Sequence, residues 1–287
     1  MRNVPSICGW LSLVALAACG GGDPLGFDTP ESALHDATAD VYLISNIHGA
    51  PLAKDGNGYI SRLQPDDAFE RHWIQGGRGG VTLHAPKGLA LAGGVLWVAD
   101  IDVLRTFDGA TGAQRTDVVI PGATFLNDVA AAPDGTIYCT DSGLDASFAP
   151  TGTDAIWMVG SDGVPKVLLR GGDLGQPNGL VARDTGVYVV SWRDGTFFQV
   201  DRQGRRTDLG KAPQAQLDGL ARVEGADGAA FLATSWAGKC VYRFSLQGVC
   251  TALPVALEQP ADCGFDERRG LLLVPLFGKN TLERLKL

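Results

Sequence analysis

Six polar or charged residues recur along the chain, each at the start of an apolar run that is typical of a β-strand. They are Glu31, Lys87, Asn127, Asn178, Asp218 and Asp262. Carboxylate and amide oxygens are the ligands that a hard divalent cation prefers, and an ammonium group could stabilise an oxyanion. If the fold brings these residues together, they form a candidate cation or ligand site. The rest of the sequence offers no comparable chemistry.

The spacing of the six residues, 56, 40, 51, 40 and 44 positions, indicates the architecture that would position them. A repeat of this length is typical of propeller blades, each a small sheet facing a central channel. Each unit adds a second strand and a turn, and the turn glycines Gly163, Gly204 and Gly248 follow nearly the same spacing. We therefore predict an all-β fold, a six-bladed β-propeller over residues 31–287. The outer strand of the last blade is either absent or supplied by residues before Glu31.

Residues 1–18 have the features of a lipoprotein signal peptide. Arg2 is their only charge, and the apolar run that follows is too short to cross a bilayer. The segment Leu16-Ala17-Ala18-Cys19 resembles a lipobox, so acyl chains on Cys19 would hold the protein at a membrane. Residues 19–30 would then form a lipid-anchored tether. Because residue 20 is not aspartate, we expect the periplasmic face of an outer membrane.

Charge and cysteine content limit the partners. Without Arg2, 23 basic residues face 32 acidic residues, and this acidic balance disfavours a nucleic-acid partner. We expect a monomer that contacts the membrane only through Cys19. Four further cysteines have an undecided disulfide state, although a simple hairpin register would not pair the second with the third. They are Cys139, Cys240, Cys250 and Cys263.

Several short phrases together resemble the regucalcin/gluconolactonase family of six-bladed propellers. They are Pro30-Glu31-Ser32-Ala33, Phe125-Leu126-Asn127-Asp128-Val129, Pro177-Asn178-Gly179-Leu180 and Leu217-Asp218-Gly219-Leu220. The resemblance, which spans Glu31 to Leu287, implies a divalent cation held by Glu31, Asn178 and Asp218 with Asn127 beside it. It also implies hydrolysis of sugar lactones and related esters. Ca²⁺ is the expected ion, with Zn²⁺ or Mn²⁺ as alternatives. Asp218 would act as general base, and Asn127 would orient the substrate.

Two residues depart from the pattern of that family. Phe125 stands where its lactonases place a substrate-binding arginine, so a sugar acid is not implied as the substrate. Lys87 lies at the ring position of the second blade, where its charge would oppose a divalent cation. Lys87 points away, pairs with Asp262 or Glu31, or takes the electrostatic place of the metal. We prefer the pairing with a carboxylate, which makes Lys87 and Asp262 possible modulators of the channel.

Two functions remain open at this point. The first is a metal-dependent lactone or ester hydrolase with the channel as its active site. The second is a non-catalytic lipoprotein whose rim binds a ligand or a protein. A serine triad is disfavoured because the chain has no Gly-x-Ser-x-Gly motif and its four histidines fall in the first two repeats. His48 and His84 could reach the channel mouth, and Trp192 and Trp236 could line its rim.

Overall fold

The computed structural model describes residues 25–225 and 228–287. Over these ranges the chain forms 23 strands in six antiparallel sheets and one 3-10 turn, Gly172–Leu174. The predicted signal peptide and Cys19 lie outside the described residues. Within the part described, the chain contains no helix long and apolar enough to cross a membrane.

The first three blades each have four strands that are neighbours in chain order. Blade 1 contains β1 (Pro30–Asp36), β2 (Val41–Asn46), β3 (Tyr59–Leu63) and β4 (Phe69–Gln75). Blade 2 contains β5 (Pro86–Ala92), β6 (Val95–Asp100), β7 (Val103–Asp108) and β8 (Val118–Val119). Blade 3 contains β9 (Leu126–Ala131), β10 (Ile137–Asp141), β11 (Ala155–Val159) and β12 (Pro165–Arg170).

The last three blades follow the same plan, except that the sixth has three strands. Blade 4 contains β13 (Pro177–Arg183), β14 (Gly186–Ser191), β15 (Thr196–Asp201) and β16 (Arg206–Lys211). Blade 5 contains β17 (Leu217–Gly225), β18 (Gly228–Ser235), β19 (Cys240–Ser245) and β20 (Cys250–Ala252). Blade 6 contains β21 (Gly264–Asp266), β22 (Leu271–Leu276) and β23 (Thr281–Lys286).

The first strand of each blade contacts the first strand of the next blade, and β21 contacts β1. The six inner strands therefore surround a central channel, and the six-bladed propeller predicted from the spacing is confirmed. Apolar clusters fill the gaps between neighbouring sheets, including one in which Leu273 of blade 6 packs with Tyr42 and Ile44 of blade 1. Burial of each such side chain stabilises the fold by about 1.5–3 kcal/mol, so the blades hold one another in place.

Among the described residues, the ring closes without a fourth strand in blade 6. No described residue adds a strand to that sheet. The described segment before Glu31 packs on blade 1 instead, where the ring centres of Phe27 and Phe69 lie 5.2 Å apart. Polar contacts join the two ends, because Asp262 N donates to Glu31 O at 2.9 Å and the Tyr42 hydroxyl donates to the Asp266 carboxylate at 2.7 Å. The described residues give the last blade no outer strand, and the alternative that residues before Glu31 supply it lies largely outside the described residues.

A repeated β-bulge aims the polar residues of the inner strands. In five blades the register shifts between the first and fourth residues of the inner strand. The second residue of each is Glu31, Lys87, Asn127, Asn178 or Asp218. A bulge bends its strand and redirects a side chain. In blades 2, 4 and 5 the following residue is a glycine with little space around it, and a Cβ on Gly179 would lie 2.4 Å from Asp218 O of the neighbouring blade. Glycine at that position permits the close approach of the inner strands.

Candidate functional site

A cavity of about 430 Å³ opens at one end of the channel. Its floor contains five of the six residues singled out from the sequence, namely Glu31, Lys87, Asn127, Asn178 and Asp218. All five are buried, with exposed fractions of 7% or less. The segments that carry them are separated by tens of residues in the chain, and the bulges of neighbouring blades bring them around one pocket.

Asp262 is not part of this floor, so the prediction that six polar residues face one another is wrong for the sixth. The bridge between Pro260 and Leu276 corresponds to the bridge between Leu217 and Ser235 in blade 5. By this register the ring position of blade 6 belongs to Ala261, and Asp262 lies one residue later. The sequence spacing of 44 concealed this shift, because one residue is within the variation between repeats.

Asp262 belongs to a second layer of the channel, which it shares with Asp128 of blade 3. Both carboxylates line a smaller cavity of about 300 Å³. Both accept a hydrogen bond from the next backbone N–H, Asp128 from Val129 at 2.7 Å and Asp262 from Cys263 at 2.8 Å. The second oxygen of Asp128 accepts from Leu180 N, and that of Asp262 accepts from the Ser32 hydroxyl. These carboxylates tie neighbouring blades together.

The floor of the larger cavity differs, because four of its oxygens are buried and have no hydrogen-bond partner. They are Glu31 Oε2, Asn127 Oδ1, Asn178 Oδ1 and Asp218 Oδ1. A buried acceptor without a partner costs about 1–3 kcal/mol, so native proteins rarely leave one, and here four line one pocket. Such a set of oxygens fits a bound cation, which would replace the missing donors.

The orientation of Asn127 follows from its neighbour Ser142. Asn127 Nδ2 donates to Ser142 Oγ at 3.2 Å, and that hydroxyl donates in turn to Pro177 O at 2.8 Å. Because the amide nitrogen is engaged, the amide oxygen of Asn127 is the atom left without a partner. Ser142 thus serves as a positioning residue for one of the four oxygens.

The electrostatics of the floor favour a cation as well. Burial, with the charges of Asp218 and Asp262 as further causes, raises the pKa of Glu31 well above its usual value, whereas Lys87 acts in the opposite direction. Burial and the nearby Asp262 raise the pKa of Asp218 to about 8, although the N–H groups of Trp236 and Asn178, potential donors to its carboxylate that make no hydrogen bond of good geometry with its Oδ1, lower it. Two buried carboxyl groups so close together do not both ionise readily. A positive charge between them would allow both to be ionised.

Lys87 does not supply that charge through an ion pair. Its Nζ donates to Pro51 O at 2.9 Å and to Ala85 O at 3.1 Å, and it lies 4.7 Å from the centre of the Phe125 ring. The preferred interpretation of the sequence, a pair with Glu31 or Asp262, is therefore wrong. Carbonyl oxygens and a ring face hold the ammonium group instead. Burial lowers the pKa of Lys87 to about 8, and the charge of Glu31 opposes that shift.

One repeated position, the first residue after the second strand of each blade, supplies much of the wall above the floor. These residues are Ile47, Ile101, Ser142, Trp192, Trp236 and Phe277, and all except Ile101 line the larger cavity. In five blades their backbone N–H donates to the carbonyl of the residue just before the inner strand or, in blade 6, just before the bridging residue Pro260, at 2.9–3.1 Å. Those acceptors are Thr29, Phe125, Gln176, Gln216 and Gln259, and all except Phe125 have a positive φ between 49° and 60°.

A positive φ is uncommon for residues other than glycine and is sustained only where surrounding contacts demand it. In these four blades it lets the chain turn from the mouth of the channel into the inner part of the blade. The same turn therefore places a wall residue and a floor residue in fixed relation. Wall and floor are one geometrical unit repeated around the axis.

Other buried acids near the mouth have structural roles. Asp141 accepts from Phe125 N at 2.9 Å and from Gly143 N at 3.0 Å, which fixes the loops beside Asn127. Asp100 accepts from Ala85 N at 2.8 Å and pairs with Arg105 at 2.8 Å, which fixes the turn before Lys87. These carboxylates bind backbone N–H groups or an arginine and do not line the cavity. Burial alone is therefore no sign of a site.

The remaining candidates lie elsewhere or serve other purposes. His48 pairs with Asp28 at 2.9 Å, and His84 Nδ1 accepts from Gly56 N at 2.9 Å, so neither lines the cavity. The four cysteines in the described ranges are free thiols. Cys250 pairs with Phe244 across the hairpin, and Phe244 lies four residues after Cys240 in its strand. The two cysteines are therefore not opposite each other, which agrees with free thiols. No group of three or more His, Cys, Asp or Glu side chains suited to a metal occurs among the described residues.

Sequence reasoning identified Trp192 and Trp236 as possible rim residues, and the structure places both in the wall. It missed Phe277, Phe148 and Ser142, which also line the cavity. Phe277 carries a signal that a comparison of repeats could have found, because it directly follows a second strand as Trp192 and Trp236 do. Phe148 lies in a loop particular to blade 3 and has no such signal.

No protein-family model matches the chain, and no curated protein matches it by sequence. Solved structures do match its fold. A structural-genomics protein described as a gluconolactonase candidate aligns at 17% identity with a TM-score of 0.68, over 96% of this chain and 91% of its own. A gluconolactonase from Xanthomonas campestris aligns at 17% identity with a TM-score of 0.62, over 95% and 99% of the two chains.

A third match is virginiamycin B lyase from Staphylococcus aureus, in a catalytically inactive form with quinupristin. It aligns at 14% identity with a TM-score of 0.64, over 96% of this chain and 98% of its own. At these identities the matches show the fold and no more. The likeness to gluconolactonase propellers predicted from the sequence is thus confirmed at the level of the fold, over nearly the whole chain.

Proposed function

We propose that the larger cavity is the active site of a divalent-cation-dependent hydrolase of lactones or related esters. The observation that carries the proposal is the set of four buried oxygens without partners on Glu31, Asn127, Asn178 and Asp218. Two structures that share the fold are described as gluconolactonases, one of them as a candidate, which is consistent with this chemistry. The site residues are those that the sequence resemblance implied.

The residues present fit a hard cation. Two carboxylates and two amide oxygens are a donor set that Ca²⁺ accepts readily, with water completing its coordination, while Zn²⁺ or Mn²⁺ are alternatives. When bound, such an ion would polarise the carbonyl of the substrate and lower the pKa of a water molecule. Because Glu31 and Asp218 have raised pKa values, binding of a cation would release protons from them.

The chain's own groups have distinct tasks in this proposal. Asp218 accepts the proton of the attacking water as general base, and Asn127, fixed by Ser142, orients the substrate through its amide. Glu31, Asn178 and Asp218 would hold the cation. Lys87 has two of its three N–H groups on backbone carbonyls, so one remains for the oxygen that becomes negative as the ester opens. Trp192 and Trp236 limit access of bulk water.

Elemental analysis of the purified protein, before and after chelation, tests the site and its use together. We expect about one divalent ion per chain, loss of lactone and ester hydrolysis on chelation, and recovery on addition of Ca²⁺, Zn²⁺ or Mn²⁺. Protein without an ion, combined with hydrolysis that chelators do not change, would contradict the proposal.

A non-catalytic ligand-binding propeller is the second candidate function. The aromatic wall of the cavity and the buried ammonium of Lys87 favour it, because both can bind an organic ligand in the absence of a cation. A ligand that binds tightly to chelated protein, together with the absence of any turnover, would select this candidate.

We also propose that the protein is a lipoprotein of the cell envelope, at the periplasmic face of an outer membrane. This proposal rests on the sequence Leu16-Ala17-Ala18-Cys19, which precedes the described residues. The variant Cys19→Ser should move the protein from the membrane fraction to the soluble fraction. Retention of that variant in the membrane fraction would contradict lipid anchoring.

A further inference from the structure

We infer that the lactones or esters accepted by the larger cavity carry an apolar or aromatic substituent, and that polyhydroxylated sugar lactones are poor substrates. This inference rests on the proposed function and names the substrate class of the same site. It follows from the wall of the cavity, whereas the proposed function follows from its floor.

One side of the wall is a continuous aromatic surface from three neighbouring blades. The rings of Trp192 and Trp236 lie 5.4 Å apart at 70°, and the rings of Trp236 and Phe277 lie 5.3 Å apart at 55°. Edge-on and tilted ring pairs at these distances are favourable, so the neighbouring rings hold one another in place. The three side chains are partly exposed and line the cavity, so they present a fixed apolar surface to a ligand.

The other side is also aromatic. Phe125 is buried beneath the Lys87 ammonium, and its ring lies 6.3 Å from that of Phe148. Phe148 is 56% exposed, which is unusual for so large an apolar side chain, and its backbone has a positive φ of 60°. The Asp145 carboxylate accepts from Ser147 N and Ala149 N and so holds the turn that presents Phe148. Phe148 extends the apolar lining that Phe125 begins, and a contiguous apolar surface at a cavity mouth indicates a ligand contact.

Polar groups in the wall are few. Ser142 already donates to Pro177 O and accepts from Asn127, and no arginine in the described part of the chain lines the cavity. The amide of Gln176 and the buried indole N–H of Trp236 are the other polar groups of the wall. A sugar lactone would bury several hydroxyl groups against rings, and each hydroxyl left without a partner weakens binding. An alkyl or aryl group on the same lactone ring avoids this penalty.

The larger cavity has enough volume for a lactone ring and a substituent beside it. A cavity of about 150 Å³ accommodates benzene. The 430 Å³ available here therefore have space for a lactone ring at the floor and a phenyl or short alkyl group between the aromatic sides. The inferred substrate places its carbonyl at the polar floor and its substituent along Trp192, Trp236 and Phe148.

The test compares substrates that share one reactive ring. We expect kcat/KM for δ-decalactone to exceed that for δ-valerolactone by at least about tenfold, because each buried methylene contributes about 0.8 kcal/mol. Glucono-δ-lactone should be the poorest of the three. The variants Trp192→Ala and Phe148→Ala should reduce the preference for δ-decalactone several-fold, whereas Leu246→Ala, which removes an exposed apolar side chain from a distant turn, should not. A higher kcat/KM for glucono-δ-lactone than for δ-decalactone would overturn the inference and leave the proposed function standing.

A binding measurement separates the two proposals if no lactone is hydrolysed. Tryptophan fluorescence of chelated protein is titrated with hydrocinnamate and with gluconate. Saturable binding of hydrocinnamate that Trp192→Ala weakens, with no binding of gluconate, would support the inference although the hydrolase proposal had failed. Binding of gluconate as tightly as hydrocinnamate, or binding of neither probe, would overturn it.

Discussion

The channel contains two layers of buried carboxyl groups that differ in how their oxygens are used. Glu31 and Asp218 in the floor layer each leave an oxygen without a partner, whereas Asp128 and Asp262 in the next layer have both oxygens hydrogen-bonded. Burial raises the pKa of the carboxyl group in all four. A perturbed pKa therefore does not distinguish a ligand site from a structural contact, but an acceptor without a donor does.

The largest expected effect is on lactone hydrolysis, which should depend on the floor layer and not on the second layer. Asp218→Asn keeps the shape of the side chain but removes its basicity, so we expect kcat/KM for lactones to fall by roughly 10²–10⁴-fold. Asp262→Asn is the matched change in the other layer and should lower kcat/KM by less than about tenfold. Steady-state kinetics with added Ca²⁺ provides the measurement. Equal losses in the two variants would remove the distinction between the layers.

A second comparison measures stability. Asp128 accepts from Val129 N and Leu180 N, so Asp128→Asn leaves one buried N–H without an acceptor. We expect a loss of about 1–3 kcal/mol in the free energy of unfolding, measured by urea denaturation in the presence of a chelator. Asp218→Asn should cause no such loss under the same conditions. A variant Asp128→Asn as stable as the wild type would show that the second layer is not structural.

The pH dependence of stability follows from Asp218. Its pKa is about 8 in the folded protein, above the usual value near 4, so the folded state binds more protons than the unfolded state between these values. Stability of chelated protein should thus fall as pH rises, by about 2 kcal/mol between pH 6.5 and 8. The lowered pKa of Lys87, about 8, acts in the opposite direction, mainly above this window.

Thermal unfolding of chelated protein between pH 6.5 and 8 tests whether stability falls as pH rises. Asp218→Asn should reduce the slope, and saturating Ca²⁺ should stabilise the wild type more at pH 8 than at pH 6.5, since the ion competes with protons. Stability that rises with pH in chelated wild-type protein would contradict the raised pKa.

The smallest expected effect concerns Lys87. Removal of its charge in Lys87→Met should increase the affinity for a divalent cation by up to about tenfold, because the ammonium group lies in the same buried cavity as the four oxygens. Lys54→Met is the matched control, since Lys54 is exposed and pairs with Asp102. Calorimetric titration with Ca²⁺ measures both. Weaker cation binding in Lys87→Met would show that the lysine supports the site through its contacts rather than opposing it through its charge.

Much of the fold was predictable from local features. Alternating apolar strands and turn glycines recur with a nearly constant period, and such a period has one common structural solution. Glu31, Asn127, Asn178 and Asp218 were predictable as a group because each lies at the same point of its repeat. The position of Lys87 in the ring was predicted correctly. Its hydrogen-bond partners were not, because carbonyl acceptors such as Pro51 O carry no signal in the sequence.

The sequence by itself determined the number of blades and the chemical types of the residues at the start of each inner strand, because periodicity and residue identity are properties of the chain alone. Only the tertiary structure decided which of those residues meet. The one-residue register difference that puts Ala261, and not Asp262, in the ring depends on bridges between strands. Likewise, only the packing of six blades around one axis shows that four acceptors lack donors and that aromatic rings enclose the space above them.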